Sequence, residues 1–262
     1  MNRRASIRTV TGFTRLKSEG KDSVKTLIAI PAYNEEENIV RVVEHLKQVL
    51  PGCDYVVIND GSSDHTGEIC RKHGYHLIDQ AVNLGLAGTF QCGMRYALLH
   101  DYDAVIQFDG DGQHRPEYIP EMEQKIGQGY DIVIGSRFVT KKKPSSMRMV
   151  GNTMIQLFTR LTTGQKLSDP TSGMRMYGRR VIRAMAEQIN LAPEPDTISY
   201  LIRCGAKVTE IQVEMDDRIA GESYLNAWRS VQYMASVCVS ILFYSAFRKP
   251  IKLDESASKE EE

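Results

Sequence analysis

The sequence predicts an α/β fold in which a mostly parallel central sheet is flanked by helices. The first half of the chain alternates short apolar runs with segments whose apolar residues recur at helical spacing, as is typical of such sheets. Several polar turns follow directly after the apolar runs. The chain has 262 residues, of which 42% are hydrophobic, so we expect one large domain with a sizeable core.

The predicted elements of the first half follow one another in a regular order. Residues 25–31 form the first strand, and a helix is expected to start at Asn34, because asparagine followed by acidic residues is a helix-start signal. Gly85 and Gly88 mark a loop, after which a helix runs to about residue 100. The other strands are predicted at 55–58, 76–78, 104–108 and 132–134, and the other helices at about 65–73 and 116–126.

The second half of the chain is less regular. Helices are expected at 147–163, 181–188 and 198–203, a strand at 207–213, and a long helical run at 222–247. Without an internal repeat or a low-complexity linker, one domain with helical C-terminal additions is the preferred organisation. The predicted boundaries are a disordered basic tail at 1–24, the domain at 25–220, an amphipathic helix at 221–250 and a disordered acidic tail at 251–262.

Composition argues against several classes of function. Basic and acidic residues number 33 each, so the formal net charge is zero and no overall field attracts nucleic acid. The five cysteines are odd in number and none has C-x-x-C spacing, which argues against a disulfide framework or a zinc site. Reduced thiols in a cytosolic protein are the simpler interpretation. The N-terminal residues lack an apolar segment, so no signal peptide is expected.

Polar side chains follow each predicted strand of the first half. They are Asn34, Asp60, Asn83, Asp109 and Ser136. In open α/β sheets, ligands bind beyond the carboxyl ends of the strands. Since these turns share one edge of the predicted sheet, together they predict a binding site there more strongly than any one of them does alone.

The segment 109–114, Asp-Gly-Asp-Gly-Gln-His, carries the clearest chemistry. Asp109 and Asp111 are separated by one residue just after an apolar strand, so their carboxylates can converge on a hard divalent cation, Mg²⁺ or Mn²⁺. Gln113 can supply a further oxygen ligand, and such a metal would neutralise a diphosphate leaving group. The alternative is an ordinary Asp-Gly surface turn, which the preceding strand and the following proline-capped helix disfavour.

Two further turns are candidates for contacts to a nucleotide. The carboxylate of Asp60 can accept hydrogen bonds from a base or a ribose, and so can Asp64, for which helix capping is the alternative. Tyr33 can stack on a base and Glu35 can bond to it, whereas helix capping by itself explains Asn34.

Phosphate-binding candidates follow later strands. Residues 83–88 can pack near a diphosphate, although a loop-to-helix turn explains them nearly as well. Arg137 is a candidate ligand for a pyrophosphate or an acceptor phosphate, with a surface arginine as the alternative. The lysines at 141–143 and Arg148 either form a solvated loop or attract an anionic acceptor.

These motifs resemble a known family over about residues 25–220. Four of them occur in the order and spacing of inverting family 2 glycosyltransferases with the GT-A fold: 31–35, 60–64, 109–117 and 135–137. Within that family the chain is most similar to the dolichyl-phosphate mannose synthase-like group, which includes bacterial polyprenyl-phosphate hexose transferases. Gln-His after the Asp-Gly-Asp turn is typical of this branch, and residues 169–175 match its D-x-x-S-G-x-R segment.

The resemblance implies a donor pocket for a nucleotide sugar. Asp60 would bind the base or the ribose, and Pro31, Tyr33 and Glu35 would line the pocket. The branch often has a basic residue where this chain has Leu86, and this departure weakens the loop at 83–88 as a diphosphate contact.

A metal and two arginines complete the implied site. Asp109, Asp111 and Gln113 would hold Mg²⁺ or Mn²⁺. Arg137 would contact phosphate groups, and Arg218, in a segment that matches the branch's R-x-x-G-x-S motif, would help to bind a donor or acceptor phosphate.

The acceptor chemistry turns on two carboxylates. Members of the family that build polysaccharides use an acidic general base to deprotonate a sugar hydroxyl, and Glu194 or Asp196 lies where such a base could sit. A lipid phosphate needs no base because it is already an anionic nucleophile. In that case both carboxylates are left to position the acceptor or to cap a helix.

The C-terminal segment 231–247 has no charged residue and is bounded by Arg229 and by Arg248-Lys249. Its residues Gln232, Ser236 and Ser240 recur every four positions and form a polar stripe. An amphipathic helix on the membrane, on the domain or against a partner's membrane helix is therefore favoured over a single span.

The expected function is inverting transfer of a hexose from a UDP- or GDP-sugar to a polyprenyl phosphate. The reaction would take place at the cytoplasmic face of the membrane, in cell-wall or surface polysaccharide synthesis. Peripheral membrane contact is expected, with a small membrane protein as a further partner. The alternatives are transfer to a sugar hydroxyl of a growing glycan and a non-catalytic nucleotide-sugar-binding subunit.

Overall fold

The structure, a computed structural model, describes residues 24–144, 147–188, 191–216 and 227–253. The strands in these ranges are β1 (Thr26–Ala32), β2 (Asp54–Asn59), β3 (Leu77–Asp79), β4 (Ala104–Gln107), β5 (Ile132–Ser136), β6 (Arg175–Gly178) and β7 (Val208–Gln212). The helices are α1 (Ile39–Val49), α2 (Thr66–Lys72), α3 (Gly85–Leu99), α4 (Ile119–Gly127), α5 (Met147–Thr163), α6 (Arg179–Glu187), α7 (Pro195–Arg203) and α8 (Ala227–Phe247). A 3-10 turn, Pro116–Tyr118, leads into α4.

All the strands belong to one seven-stranded sheet in the order β3-β2-β1-β4-β6-β5-β7. β1 pairs in parallel with β2 and β4, β2 with β3, and β5 with β7. β6 is antiparallel to both of its neighbours, β4 and β5. The predicted mostly parallel sheet is therefore confirmed, and the carboxyl ends of β1, β2, β4 and β5 point to one edge.

β1 lies inside the sheet and is buried on both faces. Leu27 and Ala29 belong to one core cluster, which also contains residues of α3, α6 and α7. Ile28 and Ile30 belong to the other cluster, with residues of α1 and α4. Because successive side chains of a strand point to opposite faces, an unbroken apolar run such as this one fills both layers of the core.

Three elements differ from the sequence prediction. β6 is not among the predicted strands, and its first residue, Arg175, is 2% exposed. α1 does not start at Asn34, which has a φ of 55° and accepts a hydrogen bond from Ser63 N–H through its side chain (2.9 Å). Asn34 therefore joins two loops and does not cap the helix. α3 already begins at Gly85, so Gly88 lies in a helix and not in the predicted loop.

The C-terminal helix α8 packs along α5 and also contacts α7. Ile155 of α5 and Cys238 of α8 lie in the buried cluster between the two helices. Gly151 permits their close approach, because a Cβ at this position would lie 1.7 Å from Sδ of Met234. Within the described ranges, no helix combines the length and the apolar character needed to cross a bilayer.

Candidate active site

The Asp-Gly-Asp turn lies at the carboxyl edge of the sheet, against the end of β1. Phe108 N–H donates to Ala29 O (3.0 Å), which keeps the chain beyond β4 in register with β1. A Cβ on Gly110 would lie 3.1 Å from Pro31 O at the end of β1 and 3.6 Å from Cγ of Glu35 in the loop that follows. The turn and the loop after β1, which the sequence assigns to metal and nucleotide, are thus in direct contact.

Two hydrogen bonds orient Asp109. Gln107 Nε2 donates to Asp109 Oδ1 (3.1 Å), and the backbone N–H of Asp109 donates to Nδ1 of His114 (3.0 Å). Because Nδ1 accepts this bond, the neutral His114 ring carries its proton on Nε2, which lies 3.6 Å from Asp109 Oδ2. The His114 side chain is only 3% exposed, whereas that of Asp109 is 33% exposed. A buried imidazole therefore fixes a carboxylate that still reaches solvent.

Asp111 is fixed by the shape of its own turn. Its Oδ1 accepts the N–H of Gln113 (3.0 Å), and its backbone O accepts from Arg41 Nη2 (3.4 Å). Gly112 has a φ of 78°, and a Cβ there would collide with the Arg41 guanidinium, so this position favours glycine on two grounds. Gln113 is bound in turn to the chain beyond β7, because its backbone O accepts from Asp216 N–H (3.0 Å).

The donor set of this turn fits a hard divalent cation. The described residues contain no group of three or more His, Cys, Asp or Glu side chains that could hold a metal. The turn offers two carboxylates and the amide of Gln113, all in one short segment whose backbone is held by hydrogen bonds. Mg²⁺ and Mn²⁺ accept such a small oxygen set when water and substrate phosphates fill the remaining positions.

Asp60 lies beyond β2 and holds the loop that follows β3. Its Oδ1 accepts the N–H of Leu84 (2.7 Å), and the residue is 4% exposed. Gly61 has a φ of 63°, and a Cβ there would lie 2.7 Å from the carbonyl carbon of Val82. The predicted turns at Asp60 and Asn83 are thus brought together, and one oxygen of Asp60 is used inside the protein.

The loops after β1 and β2 interlock, because Glu36 N–H donates to Asp64 Oδ2 (3.1 Å) and His65 N–H donates to Glu36 Oε2 (2.9 Å). Within the loop after β1, Glu35 Oε2 accepts a hydrogen bond from Asn38 Nδ2 (2.8 Å). Tyr33 of the same loop is 38% exposed. Asp64 Oδ1 accepts the N–H (3.0 Å) and the hydroxyl (2.6 Å) of Thr66 at the start of α2, as the helix-capping alternative predicts. Burial raises the pKa of Asp64, but the hydrogen bonds that its carboxylate accepts outweigh this and leave the pKa below its usual value.

Arg137 follows β5 and forms a bidentate ion pair with Asp169. Its Nε lies 2.7 Å from Oδ2 and its Nη2 lies 3.0 Å from Oδ1. The Asp169 side chain is fully buried and also accepts from Asn152 Nδ2 of α5 (2.9 Å). Arg137 itself is 31% exposed, so its guanidinium is oriented by a buried carboxylate while part of it faces solvent.

The segment 169–175 packs directly on the Asp-Gly-Asp turn. A Cβ on Gly173 would lie 3.0 Å from Oδ2 of Asp109, so only glycine fits without displacing that carboxylate. Arg175 donates from Nη2 to Pro170 O (2.8 Å) and from Nη1 to Pro193 O (2.6 Å). One buried arginine therefore ties this segment to the loop that carries the candidate base.

Both candidate base residues are engaged by α8. Tyr233 donates its hydroxyl to Glu194, and Ser240 Oγ donates to Oδ2 of Asp196 (2.5 Å). Asp196 Oδ1 also accepts the N–H of Thr197 in the first turn of α7 (2.8 Å). Burial, together with the neighbouring Glu194 charge, raises the pKa of Tyr233, so its hydroxyl stays protonated as a donor.

Sequence reasoning missed several residues that build the site, and the structure does not describe one residue that it predicted. Arg218 is outside the described residues. Gln107 and His114 bond to Asp109, and Arg175 bonds to the two neighbouring loop segments, but no role was assigned to these three residues from the sequence. Gln107 could have been found from the sequence, because it is a polar residue in an apolar strand. A buried polar group needs a hydrogen-bonding partner, and this need signals a structural role.

Comparison with known proteins identifies relatives of this chain. The model of the family described as glycosyl transferase family 2 matches residues 27–185. An undecaprenyl-phosphate mannosyltransferase of Micrococcus luteus is 29% identical over 216 residues, which cover 78% of this chain and 88% of the relative. A polyprenol monophosphomannose synthase of Mycolicibacterium smegmatis is 27% identical over 219 residues, which cover 77% and 81%.

Solved structures provide a fold comparison. Glucosyl-3-phosphoglycerate synthase from Mycobacterium tuberculosis, in complex with Mn²⁺, UDP and glucosyl-3-phosphoglycerate, aligns with a TM-score of 0.59. The alignment covers 85% of this chain and 80% of that chain at 15% sequence identity. At this identity the likeness concerns the fold, and it confirms the predicted GT-A fold.

Proposed function

The chain belongs to glycosyl transferase family 2, and we propose that it is a metal-dependent hexosyltransferase whose acceptor is a polyprenyl phosphate. The observation that carries the proposal is the Asp-Gly-Asp turn held against the end of β1, with Asp109 oriented by His114 and Gln107. The names of its relatives, which describe mannose transfer to undecaprenyl phosphate and polyprenol phosphate, supply the acceptor class.

The loops after β1 and β2 form the donor side of the proposed site. Tyr33 is exposed enough to stack on a base, and Pro31 and Glu35 border the Asp-Gly-Asp turn. One carboxylate oxygen of Asp60 accepts the N–H of Leu84, and the other serves a base or ribose as an acceptor. The donor is a UDP- or GDP-hexose.

Asp109, Asp111 and Gln113 hold the metal in this proposal. A bound Mg²⁺ or Mn²⁺ would neutralise the charge of the leaving nucleoside diphosphate. Arg137, oriented by Asp169, contacts a phosphate with its exposed part, and Arg218 is proposed to assist it. An acceptor phosphate oxygen attacks the anomeric carbon on the face opposite to the diphosphate. The bond from that carbon to the diphosphate oxygen breaks, and the configuration is inverted.

A lipid phosphate is favoured over a sugar hydroxyl by the state of the two candidate bases. Glu194 accepts a hydrogen bond from Tyr233, and Asp196 accepts one from Ser240 and another from the N–H of Thr197. Carboxylate oxygens that already accept hydrogen bonds within the protein are less available to a sugar hydroxyl. A phosphate acceptor requires no base, so these bonds cost it nothing.

The remaining proposals concern location and organisation. The acceptor lipid places the reaction at a membrane, for which we propose peripheral contact at the cytoplasmic face, with a small membrane protein as a further partner. The catalytic domain is proposed to span 25–220, and the helix within 221–250 to make the membrane contact. The product would enter cell-wall or surface polysaccharide synthesis.

The decisive experiment offers a panel of UDP- and GDP-hexoses, labelled in the sugar, to the chain together with vesicles that contain a polyprenyl phosphate. The expected result is label in the lipid with one donor, dependent on Mn²⁺ or Mg²⁺ and lost in Asp111→Asn. Glu121→Gln, on α4, is the matched carboxylate control. A fully active Asp111→Asn enzyme would refute the metal assignment, and donor binding without transfer or hydrolysis would favour a non-catalytic subunit.

The choice of acceptor has its own test. Glu194→Ala and Asp196→Ala are assayed with the lipid acceptor, and near-wild-type turnover by both is expected. Loss of turnover in either variant, with the fold intact by circular dichroism, would favour transfer to a sugar hydroxyl.

A further inference from the structure

We propose that the exposed sides of α5 and α8 together form a docking face for an anionic lipid bilayer. This inference rests on the proposed function and deepens it, because it assigns the membrane contact to named surfaces on two helices. The sequence predicted a membrane contact only for the C-terminal segment. In the structure, four of the eight exposed large apolar residues described on these two helices belong to α5.

α5 carries an exposed apolar stripe. Val150, Met154, Leu157 and Leu161 recur at intervals of four, three and four residues and are 53%, 47%, 54% and 69% exposed. This spacing places them on one face of the helix. Scattered exposed apolar residues are ordinary, but a row along a whole helix marks an interaction surface.

α8 carries a second exposed apolar stripe. Val239, Leu242, Phe243 and Phe247 are 64%, 44%, 58% and 73% exposed. Phe243 and Phe247 lie one turn apart, with ring centroids separated by 4.7 Å. The predicted polar stripe does not act as a single outer face, because Ser240 points inward to Asp196. α8 is therefore apolar where it meets α5 and along this stripe, while Gln232 and Ser236 remain exposed polar residues.

The two stripes lie on the same side of the helix pair. On α5, Thr159 bonds to Ser199 of α7, and Ile155 faces α8. At 3.6 residues per turn, the α5 stripe lies beyond the α8-facing side, away from α7. The same geometry puts Val239 and Leu242 beside the α5-facing Cys238, also away from α7. The outward face therefore continues from the α5 stripe across Leu242 and Val239, while Phe243 and Phe247 lie further round α8.

Charge indicates an anionic bilayer as the occupant. Neither α5 nor α8 contains an aspartate or a glutamate over their 17 and 21 residues. Arg160 lies on the exposed side of α5, and Lys166 and Lys249 are exposed just beyond the two helices. An apolar face with basic residues at its margin suits the boundary between acyl chains and anionic headgroups. Two copies of this face would instead bring like charges together.

The helices that carry this face also reach the candidate active site, through their opposite, inward sides. Asn152 of α5 is buried and donates to Asp169, the residue that orients Arg137. Tyr233 of α8 donates to Glu194 on the loop held by Arg175. Docking through α5 and α8 would therefore keep the acceptor side of the proposed site within one helix layer of the bilayer.

Vesicle flotation of the full chain tests the inference. Phosphatidylcholine vesicles with and without phosphatidylglycerol are used, with Leu157→Glu and Leu242→Glu as face variants. Leu99→Glu, at a residue of α3 that is 81% exposed, is the matched control. We expect salt-sensitive binding that is tighter to the anionic vesicles. Each face variant should weaken it by about ten-fold or more, since burying a large apolar side chain contributes ~1.5–3 kcal/mol, while Leu99→Glu binds like the unmodified chain.

Two outcomes would overturn the docking face. One is vesicle binding by the face variants equal to that of the control, with thermal midpoints showing that all are folded. The other is no vesicle binding, with a change of oligomeric mass in the face variants, which would make the face a protein interface. Transfer to a short, water-soluble isoprenyl phosphate is measured in parallel and should be unchanged by Leu157→Glu. Absence of transfer by the unmodified chain, with face-dependent flotation retained, would refute the proposed function alone.

Discussion

Replacement of His114 by alanine tests how the proposed metal site is built. The imidazole accepts the Asp109 N–H at 3.0 Å and holds Nε2 3.6 Å from Asp109 Oδ2, within a pocket that leaves it 3% exposed. Without it, the Asp109 N–H loses its partner, which costs about 1–3 kcal/mol of unfolding free energy. The carboxylate also loses a group that orients it. Loss of such an orienting partner typically weakens metal binding about 10–100-fold.

A second substitution separates the two effects. In His114→Asn, the amide oxygen can take the place of Nδ1 and accept the Asp109 N–H, but the shorter side chain does not extend to Oδ2. We therefore expect His114→Asn to recover most of the unfolding free energy that His114→Ala loses, while Mn²⁺ binding stays weak. Asp111→Asn serves as the reference for loss of a direct ligand.

The assay is a titration of Mn²⁺ with UDP present, followed by electron paramagnetic resonance, beside chemical denaturation of the metal-free protein. The reasoning is refuted if His114→Ala binds Mn²⁺ as tightly as the unmodified chain while its unfolding free energy falls. His114 would then support the fold only, and the orientation of Asp109 would come from elsewhere.

Three further predictions concern stability and thiol chemistry. Arg137→Ala leaves the buried Asp169 carboxylate without its bidentate partner and should lower the unfolding free energy by about 3 kcal/mol, measured by urea denaturation; an unchanged value would contradict the ion pair. Gly151→Ala should cost about 1–3 kcal/mol through collision with Met234, and less in a Met234→Ala background. Equal costs in both backgrounds would argue against this helix contact. Burial raises the pKa of Cys53 to about 11, so less thiolate is present at pH 8 and iodoacetamide should label it more slowly than a peptide cysteine, as followed by peptide mass spectrometry.

Sequence alone predicted the strands that are apolar throughout. β1 and β5 are buried along most of their length, so their residues are hydrophobic whichever face they meet. β6 escaped prediction because it is short and begins with Arg175, whose burial depends on the carbonyls of Pro170 and Pro193. The sequence around Arg175 does not reveal these hydrogen-bonding partners, because the fold brings them from other segments of the chain.

In the candidate site, too, sequence predicted local features and missed long-range partners. The spacing of Asp109 and Asp111 predicts that they share one turn, because they are separated by a single residue. The partner of Arg137 lies 32 residues away, and only the fold reveals it. Asn34 was assigned to the wrong task, since the side chain that can cap a helix can equally bond to a neighbouring loop, as it does to Ser63.

The reversed direction of β6 has a consequence for how this enzyme can diversify. Because β6 opposes β4, with Gln107 paired to Arg175, it reaches the carboxyl edge at its start and not at its end. In the proposed site, the donor side is thus made from chain that leaves β1, β2 and β4, and the acceptor side from chain that enters β6 and α7. On this proposal, insertions before β6 would alter acceptor choice while the nucleotide loops keep their sequence, so the two halves of the reaction would evolve separately.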